Sequence, residues 1–335
     1  HGLILMSGSV RGDVALAQRA EEAGFDSVFS IEFFNRHGFV PLAAIAQATS
    51  RIRIGTGIAN AFTRSPLLHA SAAMDLDELS EGRMVLGLGS ATKRMNEDWY
   101  DVPFSAPAAR MEELVTLLRQ AFTAQKGGGL SFEGRFWNLK VPIYARPGAA
   151  REQIPIWIAA VNRGMIHSAG VVADGLVGHP IATRRWHREV TLPGIRAGES
   201  AAGRAAGSCV LAPYLVCVIA ESREQALREA KGQIGFYYTT KLYHSILDLH
   251  GLRHIGEACS AALRKFDTKA MAEAIPDDLV DEIGIACTAD EARDRLAEWK
   301  DLTDEPLFYP PSIGVRPERV LENAHTILDV FGSAR

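Results

Sequence analysis

Short β-rich apolar runs alternating with longer amphipathic stretches predict an α/β fold, specifically a (β/α)8 TIM barrel with loop insertions. Two further observations agree. The apolar runs number eight, which is the count that closes a parallel barrel, and the 335 residues show no low-complexity tract or internal repeat. The expected strands are Leu3 to Ser7, Ser27 to Ile31, Ile52 to Gly57, Met84 to Gly89, Ile156 to Ala160, Gly175 to Gly178, Val210 to Ile219 and Leu307 to Tyr309. Helices are expected at Asp13 to Ala23, Val40 to Ala48, Pro66 to Leu79, Pro107 to Ala124, Met165 to Ala173, Thr183 to Arg196, Arg223 to Thr239, Thr288 to Lys300 and Pro317 to Phe331. Ser65-Pro66 and Ala106-Pro107 put proline at a first helical position, where its missing N–H costs nothing.

Two segments exceed a minimal βα unit. Gly127-Gly128-Gly129 leads into an alternating stretch around Glu133-Gly134 that reads as a hairpin, followed by a loop through Pro142, Pro147 and Pro155. Residues 238–281 are helical in character and longer than an ordinary connection. Both are expected as insertions, at about 127–154 and 238–281, on a single barrel domain covering 1–335.

Composition narrows the function classes. The chain is 47% hydrophobic and 23% charged, with 36 Lys+Arg against 40 Asp+Glu and a net charge of -4, so a surface built for nucleic acid or an anionic membrane is not expected. No charge-free apolar run approaches the roughly 18 residues of a membrane span, and His1-Gly2-Leu3 lacks the features of a signal peptide, so a cytoplasmic location is expected. Cys209, Cys217, Cys259 and Cys287 form no CxxC pair, and the histidines show no ligand spacing; His250 and His254 are four apart but Gly251 lies between them. No metal is expected.

In a parallel barrel the chemistry is built from loops after the strand C-termini. Strand two runs into Glu32-Phe33-Phe34-Asn35-Arg36-His37, which brings a carboxylate, an imidazole and aromatics to one rim. Gly55-x-Gly57 and Gly87-x-Gly89 permit close approach of backbone to a flat ligand, or simply taper the rim; neither completes a dinucleotide fingerprint or a phosphate loop. After strand five, Asn162 is an N-cap candidate, and the N–H groups of Arg163, Gly164 and Met165 would face an anion such as phosphate. An ordinary helix start is the competing reading. For Glu32 the choice lies between proton transfer and an ion pair with Arg36 or Arg64.

Taken together, three stretches resemble the bacterial luciferase-like flavin/deazaflavin oxidoreductase superfamily: Gly55-Thr56-Gly57-Ile58-Ala59-Asn60-Ala61-Phe62-Thr63-Arg64-Ser65-Pro66, Ser80-Glu81-Gly82-Arg83-Met84-Val85-Leu86-Gly87-Leu88-Gly89 and Arg110-Met111-Glu112-Glu113-Leu114. Phe132 to Trp137 resembles its hairpin insertion, and Ile156 to Met165 its fifth-strand phosphate loop. Within it the chain is most similar to the branch dependent on coenzyme F420. That resemblance implies a non-prolyl cis peptide at Gly57-Ile58, in a bulge behind the cofactor ring, with Asn60 beside it. Ser90, Ala91 and Thr92 would run along the cofactor tail with Ala160, Val161, Asn162, Arg163, Gly164 and Met165. In the F420-dependent sugar-phosphate dehydrogenases the strand-two loop carries Asp-His and the strand-four loop a proton-donating glutamate; the matching positions here are Ile31-Glu32 and Thr92. Glu32, His37 and Thr92 are therefore the candidate catalytic residues, with Glu32 and His37 placed for proton transfer beside the hydride.

A substrate pocket is expected from Phe33, Phe34, Phe62, His179, Tyr237 and Tyr238, taking a small molecule. The resemblance also implies a homodimer. FMN is the alternative cofactor, used by monooxygenases of the superfamily with oxygen and a partner flavin reductase. A third possibility is a barrel that binds a flavin without catalysis.

Overall fold

The computed structural model describes residues 1–124, 126–146 and 149–333. Pro147, expected in the loop after the hairpin, lies outside them. All eight expected barrel strands form: β1 (Gly2–Leu5), β2 (Ser27–Ser30), β3 (Arg53–Thr56) continued by β4 (Ala59–Asn60), β5 (Met84–Gly89), β8 (Ile156–Ala160), β9 (Gly175–Gly178), β10 (Val210–Ile219) and β12 (Leu307–Tyr309). Every neighbouring pair round the ring is parallel, and β12 pairs back onto β1. Following one row of partners round the ring requires stepping up one residue on β3, two on β5, one on β8 and four on β10. Those steps come to eight, the shear of a TIM barrel.

Helices cover the ring because each crossover must return the chain to the bottom of the next parallel strand. They are α1 (Val10–Glu22), α2 (Val40–Ala48), α3 (Pro66–Leu79), α4 (Pro107–Ala124), α5 (Arg163–Val172), α6 (Arg184–Trp186), α7 (Leu192–Ala201), α8 (Arg223–Tyr238) and α14 (Pro317–Phe331). Ser9, Ser65 and Ser222 cap α1, α3 and α8, each accepting from a first-turn N–H. The stretch expected as one helix from Thr183 to Arg196 is α6, a π-turn at His187–Thr191 and α7, with Pro193 in the first turn of α7.

The hairpin is β6 (Leu130–Glu133) with β7 (Asn138–Val141), antiparallel. Glu113 of α4 closes its turn by accepting the N–H groups of Arg135, Phe136 and Trp137, each at 2.8 Å. The 238–281 segment forms short helices α9 (His244–Leu249), α10 (Arg253–Arg264), α11 (Thr268–Glu273) and α12 (Asp277–Ile283). It then returns as β11 (Gly284–Cys287), which pairs with the upper half of β10; α13 (Ala292–Ala297) leads on to β12.

Inside the ring the Phe29 and Trp157 rings stack at 5.5 Å. Above them β3 is interrupted. Gly55 faces Val85 and Ala59 faces Leu88, so four steps on one strand span three on the other, and one extra residue is accommodated as a bulge. The Gly57–Ile58 peptide within it is cis, as the resemblance implies.

Candidate functional site

The bulge sits at the mouth, and the glycines around it serve the protein's own backbone. A Cβ on Gly87 would lie 1.9 Å from the Thr56 carbonyl oxygen, and one on Gly57 would lie 2.3 Å from the Tyr214 hydroxyl. Gly87 lets the bulge fold inward, so the glycine pairs need no ligand to explain them. Tyr214 of β10 fixes the bulge by donating to the Gly57 carbonyl at 2.6 Å. Ile58 extends over Gly89 toward Ala159 of β8, which links the bulge to the loop leading into α5.

The strand-two side of the mouth is charged and closed on itself. Glu32 accepts from the Asn60 N–H at 2.8 Å and from both terminal nitrogens of Arg64, one at 2.8 Å. Burial pushes its carboxyl up, but the Arg64 guanidinium and the Asn60 N–H outweigh that and hold it below the ordinary glutamate value. The ion-pair reading of Glu32 is therefore the one the geometry favours: every strong donor nearby is already spent on it. Its partner is Arg64, while Arg36 pairs with the buried Asp13 of α1. His37 is exposed, and its Nδ1 accepts from Phe39 and Val40 N–H at 3.1 and 3.3 Å, capping α2. Asn60 is buried and its amide donates to the Tyr100 hydroxyl at 3.2 Å.

The strand-four loop is shaped by Asn96. Its buried amide donates to the carbonyls of Ser90 and Thr92 at 2.8 and 2.9 Å, around Ala91 in the left-handed region at φ 52°. The Thr92 hydroxyl accepts the Met95 N–H at 3.2 Å, which makes it a turn cap. Beyond it Trp99 packs edge-on against Phe33 and Phe34, with ring centroids 5.5 and 5.7 Å away. Phe34 and Trp99 remain 63% and 43% exposed, so this aromatic rim is open.

Strand five delivers Ala160, Val161 and Asn162 to the start of α5. Asn162 is the N-cap residue by backbone conformation, but its side chain makes no capping bond. Asn162, Arg163 and Gly164 are exposed and Met165 is buried beneath them. The first-turn N–H groups thus point outward beside a cation, an arrangement suited to phosphate.

Strands six to eight supply a neutral wall. His179 follows β9 and packs against Tyr237 and Tyr243 at 4.8 and 4.4 Å. Its Nδ1 has no partner among the described residues, and burial pushes its pKa down to about 3. The Tyr237 hydroxyl lies 3.2 Å from that of Tyr309, and the Tyr214 ring lies 5.9 Å from that of Tyr309. Burial raises all three phenols. Two expected pocket residues do not reach the opening. Phe62 is 4% exposed, under Phe104 and the Arg110 guanidinium at 4.3 Å, and Tyr238 is fully buried, donating to the Ile181 carbonyl at 3.0 Å. Sequence reasoning missed Tyr214, Tyr309, Arg64 and Trp99 as site residues; the two tyrosines were hidden inside strands that read as continuously apolar.

A cleft of about 720 Å³ elsewhere, between α8 and α11, includes Arg228, Lys231, Lys269 and Asp277. Its cations pair with neighbouring carboxylates, Lys231 with Asp277 and Lys269 with Glu273.

The profile of the luciferase-like monooxygenase family matches residues 3–305. The chain belongs to that family. An uncharacterized protein of Mycobacterium tuberculosis is 32% identical over 296 residues, covering 85% of this chain and 86% of that protein. The 5,10-methylenetetrahydromethanopterin reductase of Archaeoglobus fulgidus is 28% identical over 83% of both chains. Among solved luciferase-like barrels, the coenzyme F420-dependent tetrahydromethanopterin reductase of Methanopyrus kandleri superposes with a TM-score of 0.78 at 23% identity, covering 97% of this chain and 96% of that one. A monooxygenase of Streptomyces bottropensis gives 0.71 at 20% identity, with 98% coverage of both. The chain is accordingly an oxidoreductase of the luciferase-like superfamily, with F420-dependent enzymes among its homologues. No helix among the described residues is long and apolar enough to cross a membrane.

Proposed function

We propose that the protein transfers hydride between coenzyme F420 and a small organic molecule at the C-terminal mouth of the barrel. The observation that carries this reading is the bulge at Gly57–Ile58 facing an α5 terminus whose first-turn N–H groups and Arg163 are exposed. A flat ring on the bulge with an anionic tail along Ser90, Ala91 and Thr92 to Asn162 and Gly164 fits both features. The choice of F420 is supported by the F420-dependent reductase of similar fold and by a Mycobacterium tuberculosis relative named as a putative coenzyme F420-dependent oxidoreductase, 27% identical over 85% of this chain. When bound, the deazaflavin would supply the carbon that takes or gives hydride.

The residues of this chain bind and orient. Tyr214 holds the bulge, and Arg64 holds Glu32 ionised, so Glu32 positions the Asn60 loop and does not shuttle protons. Phe33, Phe34 and Trp99 make an apolar rim for the substrate, and His179 and Tyr237 line its inner wall. His37 and Thr92 act as caps that shape the rim. The similarity to the Streptomyces monooxygenase favours a second reading, reduced FMN with oxygen and a partner reductase. A homodimer fits either.

Side-by-side fluorescence titrations with coenzyme F420 and FMN, repeated anaerobically with the reduced forms, test the choice. Tight binding of F420 with no oxygen uptake is expected. Preference for reduced FMN, with oxygen consumption, would replace hydride transfer with monooxygenation.

A further inference from the structure

We propose that the substrate is an uncharged, flat conjugated molecule, selected by a wall of His179, Tyr237 and Tyr243 that stands across the mouth from the rim of Phe33 and Phe34. This rests on the reading of the mouth as a hydride-transfer site and names the class of molecule it takes. Topology sets the two banks apart. In the ring of eight strands β2 is the second and β9 the sixth, so the loops that follow them lie half a turn from one another. The rim is the loop after β2. The wall is His179 after β9, Tyr237 near the end of α8 and Tyr243 in the turn Lys241–Tyr243 that opens the helical insertion. Its rings pack on one another: the His179 imidazole meets Tyr237 at 78° and Tyr243 at 46°, with centroids 4.8 and 4.4 Å away. All three are only half-buried, and Phe236 and Leu242 beside them are 36% and 55% exposed. Aromatic surface left open on both sides of the mouth offers faces on which a further ring can stack.

The wall is also without charge. Behind it the ring series continues through Tyr309 to Tyr214, and burial moves all five groups toward their neutral forms. No carboxylate or cation among the described residues acts on any of them, Lys241 included, although it shares a turn with Tyr243. Charges elsewhere at the mouth are occupied. Glu32 holds Arg64, Asp13 holds Arg36, and Arg163 stands over the Trp186 ring at the start of α5, where the cofactor tail is proposed. An anionic substrate would thus lose its hydration against the wall and meet no counter-ion, a cost that a neutral molecule escapes. The buried His179 Nδ1 has no partner among the described residues, so the wall keeps a neutral hydrogen-bonding group as well.

The test is equilibrium dialysis of the full chain, loaded with whichever cofactor it takes, against 2-naphthamide and 2-naphthoate, two probes alike in ring and size that differ in charge. The wild type is expected to bind the amide at least about 10-fold more tightly than the carboxylate. Tyr243→Ala, which removes one ring from the wall, should weaken the amide about 5-fold. Tyr243→Arg, which supplies the missing counter-ion, should narrow the preference to about 3-fold or less. If neither variant folds, the wild-type preference decides. Equal binding of the two probes, tighter binding of the carboxylate, binding of neither, or a preference that both folded variants keep unchanged would overturn the inference and leave the cofactor reading intact. Failure of that reading shows separately, as a wild type that takes neither coenzyme F420 nor FMN, and would remove the substrate assignment with it.

Discussion

The two sides of the mouth are built on opposite principles. On the strand-two side, Glu32, Arg64, Asp13 and Arg36 are charged, and each charge is met by a protein partner. On the side of strands six to eight, His179, Tyr214, Tyr237 and Tyr309 are neutral, and the buried His179 Nδ1 has no partner among the described residues. Charge density is thus a poor guide to where a ligand binds. The ionic side spends its charge pairs on fixing loops and leaves Ser30 Oγ and Arg36 Nε without partners among the described residues, whereas the neutral side leaves an imidazole nitrogen.

The largest expected effect breaks the ionic side. Arg64→Ala leaves the Glu32 carboxylate buried with one N–H for company, and should cost about 3 kcal/mol or more in urea unfolding. A loss below about 1 kcal/mol would mean that the pair is not the structural clamp described here.

Acid sharpens the contrast next. Burial holds His69 and His187 at about 4 and His179 at about 3, below the unfolded value near 6.5. The unfolded chain then binds more protons, so stability is complete above pH 6.5 and falls as pH drops from there toward 4, by up to about 1.4 kcal/mol per unit for each histidine. Glu32 acts later: with its folded pKa below the unfolded one, its contribution is present above the ordinary glutamate value and is lost only as pH falls through the depressed one. Unfolding free energies at pH 7, 6 and 5 check this, and His187→Phe should reduce the slope by roughly a third. An unchanged slope would show that His187 is not held neutral.

Tyr214→Phe is a smaller test, expected to cost about 1 kcal/mol for one hydrogen bond to the Gly57 carbonyl and to weaken cofactor binding as the bulge loosens. Stability loss without any change in binding would separate the bulge from the ligand. Smallest of all, Phe34→Ser on the open rim should stay within about 0.5 kcal/mol of wild-type stability, while substrate KM rises. A large loss of stability would show that the rim is packed.

The barrel was legible because its signals are local. A run such as Ile156–Ala160 between turn residues, or Ser65-Pro66 ahead of α3, specifies an element without distant information, and those bounds match the structure. The missed elements lack such punctuation. β11 follows α12 with no intervening turn residue, and β4 follows a bulge that a period-two reading cannot see. The site was half legible. Glu32, His37 and Asn162 stood out as polar groups in loops, but their partners decide their roles. Whether Glu32 meets Arg36 or Arg64 depends on the path of two loops, and Asn162 marks a helix start that its side chain does not cap. Tyr309 and Tyr214 were invisible for the converse reason, since a tyrosine in an apolar strand reads as filler until the hydroxyl is located. Phe62 and Tyr238 failed because aromatics near a loop carry no label for inside or outside.

The extra residue between β3 and β4 makes strand three a sentence read in two frames. Below it, Gly55 opposes Val85; above it, Asn60 opposes Gly89, where without the bulge Ala59 would have stood. Since side chains alternate, everything past the bulge has exchanged faces. The lower frame answers to the barrel and the upper one to the mouth. Substitutions beyond the bulge can therefore re-aim the rim while the ring of eight strands keeps its spelling, which lets one scaffold serve many chemistries without being rebuilt for each.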